Sequence, residues 1–210
     1  VNIGAGANAK SVTVGSVTGA ASTALRAGSG GMTIIVNGTT YTWPSAAPTV
    51  NGQGLVSTTG GALTWSGAVN VQANNSGGQS IADGGGAAII TTWSEITDSA
   101  SAFNSTTGIF TAPVTGFYQV CAELEFSAIV AVVGAEFSVQ LYVNGSLFAQ
   151  AAEICQVAAA NVKRQPKLSI GVQVTAGQTL DIRAAQTSGS GSNSLTFTTS
   201  RNLLSISLVS

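Results

Sequence analysis

The sequence predicts an all-β protein in which a repetitive β stretch precedes a β-sandwich or jelly roll. Three observations carry this. Apolar residues alternate with polar ones at a period of two through most of the last 125 residues. Tight-turn signals such as Asn144-Gly145 and Ala176-Gly177 separate those runs. Helix signals are nearly absent, since the Ala-rich run over 157–161 is too short to nucleate a helix.

Taken in chain order, the first part is built from slivers. Val1-Asn2-Ile3-Gly4, Ser11-Val12-Thr13-Val14-Gly15 and Met32-Thr33-Ile34-Ile35-Val36 are short β-prone pieces punctuated by glycine. Strands of that length bury too little alone, so stacked repeats or several identical chains wound together are expected over 1–35. Residues 36–70 read as a small β unit. It opens on an Asn37-Gly38 hairpin signal and carries Tyr41-Thr42-Trp43-Pro44 and Leu63-Thr64-Trp65, whose two Trp would seed a local core. Glycines at 77–78 and 84–86 mark a linker over 71–88. Composition shifts near residue 80. The first 80 residues hold 15 of the 26 glycines and only two charges, Lys10 and Arg26, so all eight acids lie beyond them.

Residues 89–210 read as the globular part. Over 117–126, Tyr118, Val120, Ala122, Leu124 and Phe126 share one strand face, and Gln119, Cys121, Glu123 and Glu125 the other. Phe137, Val139, Leu141 and Val143 share a face and run into Asn144-Gly145. Leu168, Ile170, Val172 and Val174 alternate, turn at Ala176-Gly177 and continue as Leu180 and Ile182. Leu204, Ile206 and Leu208 close the chain. Seven to ten such strands need two packed layers. Gly116 is read as a turn residue, and Pro113 as the end of a short strand beginning after Gly108.

One constellation is more specific. Asp98-x4-Phe103-x6-Phe110-x5-Gly116-x-Tyr118 resembles the signature of the globular head of complement's first component, q subunit, which shares a trimeric jelly roll with the tumour-necrosis-factor superfamily. The similarity runs over roughly 90–210, taking in the Asn144-Gly145 hairpin, Gly177-Gln178-Thr179-Leu180-Asp181-Ile182 and the last apolar strand. The sequence departs from the pattern at Thr92, Val120 and Ala122, where the family has aromatic residues. This resemblance implies a ten-strand-type jelly-roll head that is homotrimeric, with the termini at one end and variable loops at the other. In it, Asp98, Phe103, Phe110, Gly116 and Tyr118 are structural positions. The Tyr-x-Trp-Pro and Leu-x-Trp pieces within 36–67 are similar to units of tail-fibre and virion-surface proteins.

Composition excludes several functions. With 7 basic and 8 acidic residues, a net charge of -1 and no histidine, nothing supports nucleic-acid binding, a Ser-His-Asp triad or a His-based zinc site. No apolar run is long enough for a membrane-spanning helix, and the sequence starts without a secretory signal or an initiator Met, as a processed or excised chain would. Gly4-Ala5-Gly6-Ala7-Asn8-Ala9 matches a dinucleotide fingerprint formally but lacks the strand, helix and acid that give it meaning. Glu123 and Glu125 would share a strand face. Paired carboxylates can hydrolyse glycosides, but a solvated or subunit-lining polar face is the favoured reading. Asp83, Glu95 and Asp98 form no dense acidic loop, so no metal or cofactor is assigned. Cys121 and Cys155 can form one bridge or sit as buried small hydrophobes, the second being preferred. Lys163, Arg164 and Lys167 form the only basic cluster, in a loop-like stretch with Pro166. They are candidate receptor contacts, set against a plain solvated loop. The Ser/Thr/Gly/Asn-rich segment 186–202 is a second exposed-loop candidate.

These readings converge on a non-enzymatic structural fibre protein of a virion surface, such as a bacteriophage tail fibre, head fibre or decoration protein. Its partners would be itself, other virion proteins through the N-terminal part, and a host-surface glycan or protein. The alternatives are a bacterial surface or spore-coat protein with the same head type, a fibre-borne glycan depolymerase and, more weakly, a secreted signalling ligand.

Overall fold

A computed structural model describes residues 32–36, 38–45, 54–57, 61–66, 69–75, 77–198 and 200–209. The shaft pieces expected at 1–4 and 11–15, and the Gly-x-Gly stretch at 4–9, lie outside these residues. The chain divides into two compact units, Val1–Ala47 with Leu55–Trp65, and Pro48–Gly54 with Ser66–Ser210.

In the first unit β1 (Thr33–Val36) and β2 (Thr39–Thr42) form an antiparallel hairpin closed at Gly38, whose φ of 78° suits glycine. Residues 33–35, expected to belong to the shaft, are thus one arm of this hairpin. β3 (Gly54–Ser57) pairs with β4 (Leu63–Ser66), and Thr42 bridges to Ala62. Trp43 and Trp65 are half-buried, while Ile34, Ile35 and Val36 are exposed.

The second unit is a sandwich of two antiparallel sheets. Its elements in order are β5 (Asn70–Asn75), β6 (Ser80–Ile81), β7 (Ala88–Ile89), β8 (Trp93–Asp98), β9 (Phe103–Asn104), β10 (Ile109–Thr111), β11 (Gly116–Glu123), β12 (Phe126–Ala131), β13 (Glu136–Val143), β14 (Ser146–Ile154), β15 (Ala159–Arg164), β16 (Lys167–Val174), β17 (Thr179–Gln186), β18 (Asn193–Ser194) and β19 (Leu203–Leu208). One sheet runs β16-β11-β19-β5-β8. The other runs β14-β13-β17-β10-β9, with β7 also on β17. The chain crosses between these sheets after β5, β7, β8, β10, β11, β14, β16 and β17, and the first and last long strands, β5 and β19, pair side by side. This is jelly-roll connectivity.

The period-two pattern explains the packing. On β11 the buried side is Gly116, Tyr118, Val120 and Ala122, and it faces Phe137, Val139 and Leu141 of β13 across the core. Phe110 meets Tyr118 edge-on at 5.6 Å and Phe126 meets Phe137 at 5.1 Å, the geometry aromatic quadrupoles favour. All four rings are fully buried, worth about 1.5–3 kcal/mol each.

Several expectations are corrected. Residues 71–88 are not a linker. β5 lies between β19 and β8 with Val71 and Ala73 fully buried, and β6 and β7 pair with β18 and β17. The alternation Asn70-Val71-Gln72-Ala73-Asn74 is a true strand pattern, overshadowed in sequence by the glycines that follow it. Gly116 is not a turn residue but a strand residue opposite Val174, and its φ is not positive. Gly108 is the position that needs glycine. Its φ is 71°, and a Cβ there would collide with the Ile90 carbonyl oxygen. Glu123 and Glu125 do not share a face. β11 ends at Glu123, and Glu125 turns inward to 2% exposure as the chain changes sheets.

Candidate functional site at the tip of the head

The strand pairings give the head two different ends. At the root, the chain enters at Val69 and Asn70 beside Leu208, where the last strand finishes. Connections there are two to four residues long: 99–102, 112–115, 144–145 and 175–178. At the opposite end, the tip, the chain makes the long excursions 124–135, 155–166 and 187–202. β12 and β15 pair there as a short irregular ribbon, and β6 pairs with β18.

The signature residues lie in the core and at the root. Asp98 accepts hydrogen bonds from the backbone N–H groups of Ala100 (3.1 Å) and Phe103 (2.7 Å), bracing the turn that launches β9. Phe103 and Phe110 are paired across β9 and β10. The Tyr118 hydroxyl donates to the Val114 carbonyl at 2.8 Å. Burial raises its pKa, partly offset by that hydrogen bond.

At the tip, Lys163 and Arg164 end β15 and Lys167 begins β16, so the loop expected around Pro166 is a two-residue turn. The three cations do not form one patch. Lys163 donates to Glu125 at 2.9 Å, and Lys167 pairs with Glu123 at 3.1 Å. Arg164 directs Nε and Nη2 at the Cys155 sulfur, 3.3 and 3.2 Å away. Cys155 is buried and Cys121 half-exposed, and both are free thiols. Arg201, which sequence reading passed over, lies 3.4 Å from the second Glu125 oxygen and exchanges hydrogen bonds with Gln165. Glu125 therefore sits buried beneath two half-exposed cations. Burial pushes its carboxyl up in pKa, but hydrogen bonds from Lys163 and Thr196 and the charges of Lys163 and Arg201 outweigh that and leave it below the ordinary value.

Asn202 organises this end. It is fully buried, takes the Glu125 N–H on Oδ1 (2.7 Å), and donates from Nδ2 to Thr196 and to the Thr198 carbonyl at 3.0–3.3 Å. Thr196 N–H in turn donates to the Glu125 carbonyl at 2.8 Å. Gln186 donates to the Ile81 and Gly191 carbonyls, and Asp83 accepts from Gly189 and Gly191, which ties the 187–192 turn to the segment before β7. The two exposed-loop candidates, 163–167 and 186–202, are thus neighbours on one end. Sequence spacing held no signal of this, because the groups that join them are 38 and 77 residues apart. Among the described residues no three His, Cys, Asp or Glu side chains converge as metal ligands; Glu95 and Asp98 lie on β8, and Asp83 in the connection before β7.

The outward face of the β16-β11-β19-β5-β8 sheet is a second feature. Ile96 (60% exposed), Phe117 (40%) and Leu203 (39%) are exposed there beside half-exposed Cys121. An open depression of about 450 Å³ is lined by Gln72, Ile96, Cys121, Leu203 and Ser205, with Glu123 and Lys167 among its lining.

No protein-family model matches the sequence, and no curated protein matches it. Solved structures do. Eiger TNF from S. frugiperda is similar with a TM-score of 0.53 at 13% identity, covering 68% of this chain and 93% of that one. Murine APRIL at pH 5.0 has a TM-score of 0.48 at 9% identity, covering 68% and 100%. The globular domain of zebrafish complement 1qA protein has 0.47 at 12%, covering 68% and 98%. At such identities the likeness speaks of fold, and Eiger TNF carries it: the second unit of this chain has a jelly-roll fold similar to that of Eiger TNF.

Proposed function

We propose that the head works as a homotrimer at the outer end of a virion fibre and attaches the particle to a host surface. The observation that carries this reading is the polarity of the head. The chain enters and finishes at the root, and the long excursions 124–135, 155–166 and 187–202 gather at the tip. That suits a fibre arriving from the N-terminal side with its binding surface presented outward.

The trimer is supported by the outward sheet face. Ile96, Phe117 and Leu203 share a face that a monomer leaves to water, and only Glu123 and Lys167, paired with each other, bring charge to the depression on it. Burying such a face against further copies removes apolar area from water. The fibre reading is supported by the glycine-punctuated, β-prone sequence at 1–4 and 11–15 and by the scarcity of charge over residues 1–80. The glycosidase reading of Glu123 and Glu125 loses its support, because Glu123 ends β11 beside Lys167 while Glu125 is buried beneath Lys163.

Two experiments test this. Solution mass by light scattering is expected at three times the chain mass of 20.8 kDa, and a monomer removes the trimer. Antibody raised against residues 89–210 should decorate intact virions that contain this chain. Labelling absent from particles removes the virion role whatever the mass.

A further inference from the structure

Phe197 is the most exposed large apolar side chain among the described residues, at 73%. Its position is nonetheless defined. Asn193 and Ser194 of β18 pair with Ile81 and Ser80 of β6, and Leu195 N–H continues the ladder to the Gln79 carbonyl at 2.9 Å. The Phe197 side chain, one residue past the position opposite Gly78 in this register, reaches back to that glycine. The far edge of the ring (Cε1, Cζ and Cε2) rests on that glycine, and a Cβ at position 78 would collide with it. Gly78 also has a φ of 58°, a conformation that L side chains rarely adopt. The backbone on both sides of the ring is clamped, since Asn202 holds the carbonyls of Thr196 and Thr198. The ring therefore lies along the tip surface on a fixed backbone, with most of its area open to water.

Its neighbours along the chain are polar and uncharged. Ser194, Thr198 and Ser200 flank it in sequence, the last two exposed, and Ser80 lies on the partner strand. An exposed aromatic ring on a fixed backbone, with the exposed hydroxyls of Thr198 and Ser200 beside it along the chain, matches the two-sided chemistry of a sugar. The C–H face of a pyranose sits on the electron-rich ring face, and its hydroxyl rim meets the polar groups.

We propose that Phe197, seated on Gly78, is a stacking platform for a sugar ring of a surface glycan, with the hydroxyl of Thr198 beside it. This rests on the reading of the head as an attachment module and names the ligand class of that tip. A pre-placed ring loses little conformational freedom on binding, so its truncation should be felt strongly.

The test uses the fluorescently labelled full chain on a printed array of bacterial surface polysaccharides and on whole bacterial cells. Wild type is expected to bind a subset of glycans. Phe197→Ala should weaken binding by about tenfold or more, while Phe197→Trp stays within about threefold, as expected for a central aromatic anchor. Both variants should keep the wild-type melting temperature, because the ring is mostly exposed. Equal glycan binding by wild type and Phe197→Ala overturns the platform and leaves attachment standing. Cell binding that survives periodate oxidation of cell sugars but is lost on protease treatment overturns the glycan in favour of a protein receptor. Wild type binding neither cells nor array removes the attachment reading and the platform together.

Discussion

The root and tip of the head solve the same problem, closing the ends of a sandwich, with different chemistry. At the root, short turns close the strands by backbone conformation. Asn144 and Gly145 both have positive φ, 47° and 75°, the paired left-handed geometry of a two-residue hairpin. Gly177 has a φ of 86° between β16 and β17. At the tip, long excursions are held by buried side chains that bond to distant backbone, chiefly Asn202, Gln186 and Glu125. The root is thus specified locally and the tip non-locally. A tip built this way can vary its surface residues while a few buried polar groups keep its frame, which is what a recognition surface needs.

The sharpest way to break this comparison is to remove one asparagine from each end. Asn202→Ala deletes a fully buried side chain with four hydrogen bonds, and strands the Glu125 N–H and Thr196 groups away from water. A cost of about 3 kcal/mol is expected, read from the urea midpoint at unchanged slope and fixed protein concentration. Asn144→Ala should cost about 1 kcal/mol, because it keeps an exposed hairpin and loses mainly left-handed propensity and the exposed bonds from the Thr179 N–H and hydroxyl. Asn144→Gly should be nearly neutral. Equal costs for the two alanine variants would erase the distinction between the ends.

Acid should separate the ends next. The folded-state pKa of Glu125 lies below its ordinary value, so its contribution is complete above the ordinary carboxylate range, about pH 4.3, and is lost as pH falls through the folded-state value. Thermal midpoints measured from pH 7 down to pH 3 should fall at the acid end. Glu125→Gln should start lower at pH 7 and show a flatter acid limb. An unchanged acid limb would mean that the Lys163–Glu125–Arg201 cluster does not govern acid sensitivity.

The smallest effect is expected within the basic cluster itself. Lys167 is 63% exposed and pairs with a partly exposed Glu123, so Lys167→Ala should cost about 0.5 kcal/mol or less. Lys163→Ala should cost more, since it uncovers a Glu125 side chain that is only 3% exposed, although Arg201 remains as partner. A larger loss at Lys167 by chemical denaturation would reverse the order in which buried and surface pairs are ranked here.

How much of this was legible in the sequence follows the same division. The alternation at Tyr118, Val120 and Ala122 and at Phe137, Val139 and Leu141 reads directly as sandwich strands, and Asn144-Gly145 reads as a hairpin. β5 was hidden because its five-residue alternation is polar and small and borders glycine-rich stretches. The burial of Glu125 was hidden because period two continues through 124–126 in sequence after the strand has ended in space. Arg201, Asn202 and Phe197 had no local signature. A lone Asn in a Ser/Thr-rich run looks like loop until its partners at 125, 196 and 198 are known, and a lone Phe there looks like core.

By itself, then, the sequence determined that the protein is all-β, which residues face the sandwich interior, and where the tight root turns lie. These depend on side-chain periodicity and on the φ that Gly and Asn tolerate, both properties of near neighbours along the chain. Only the tertiary structure decided that 163–167 and 186–202 share one end, that Lys163, Lys167 and Arg201 are already paired, and that Phe197 rests on Gly78. Those depend on strand order and on hydrogen bonds between residues far apart in sequence, and local pattern carries no trace of which distant strand a segment will lie against.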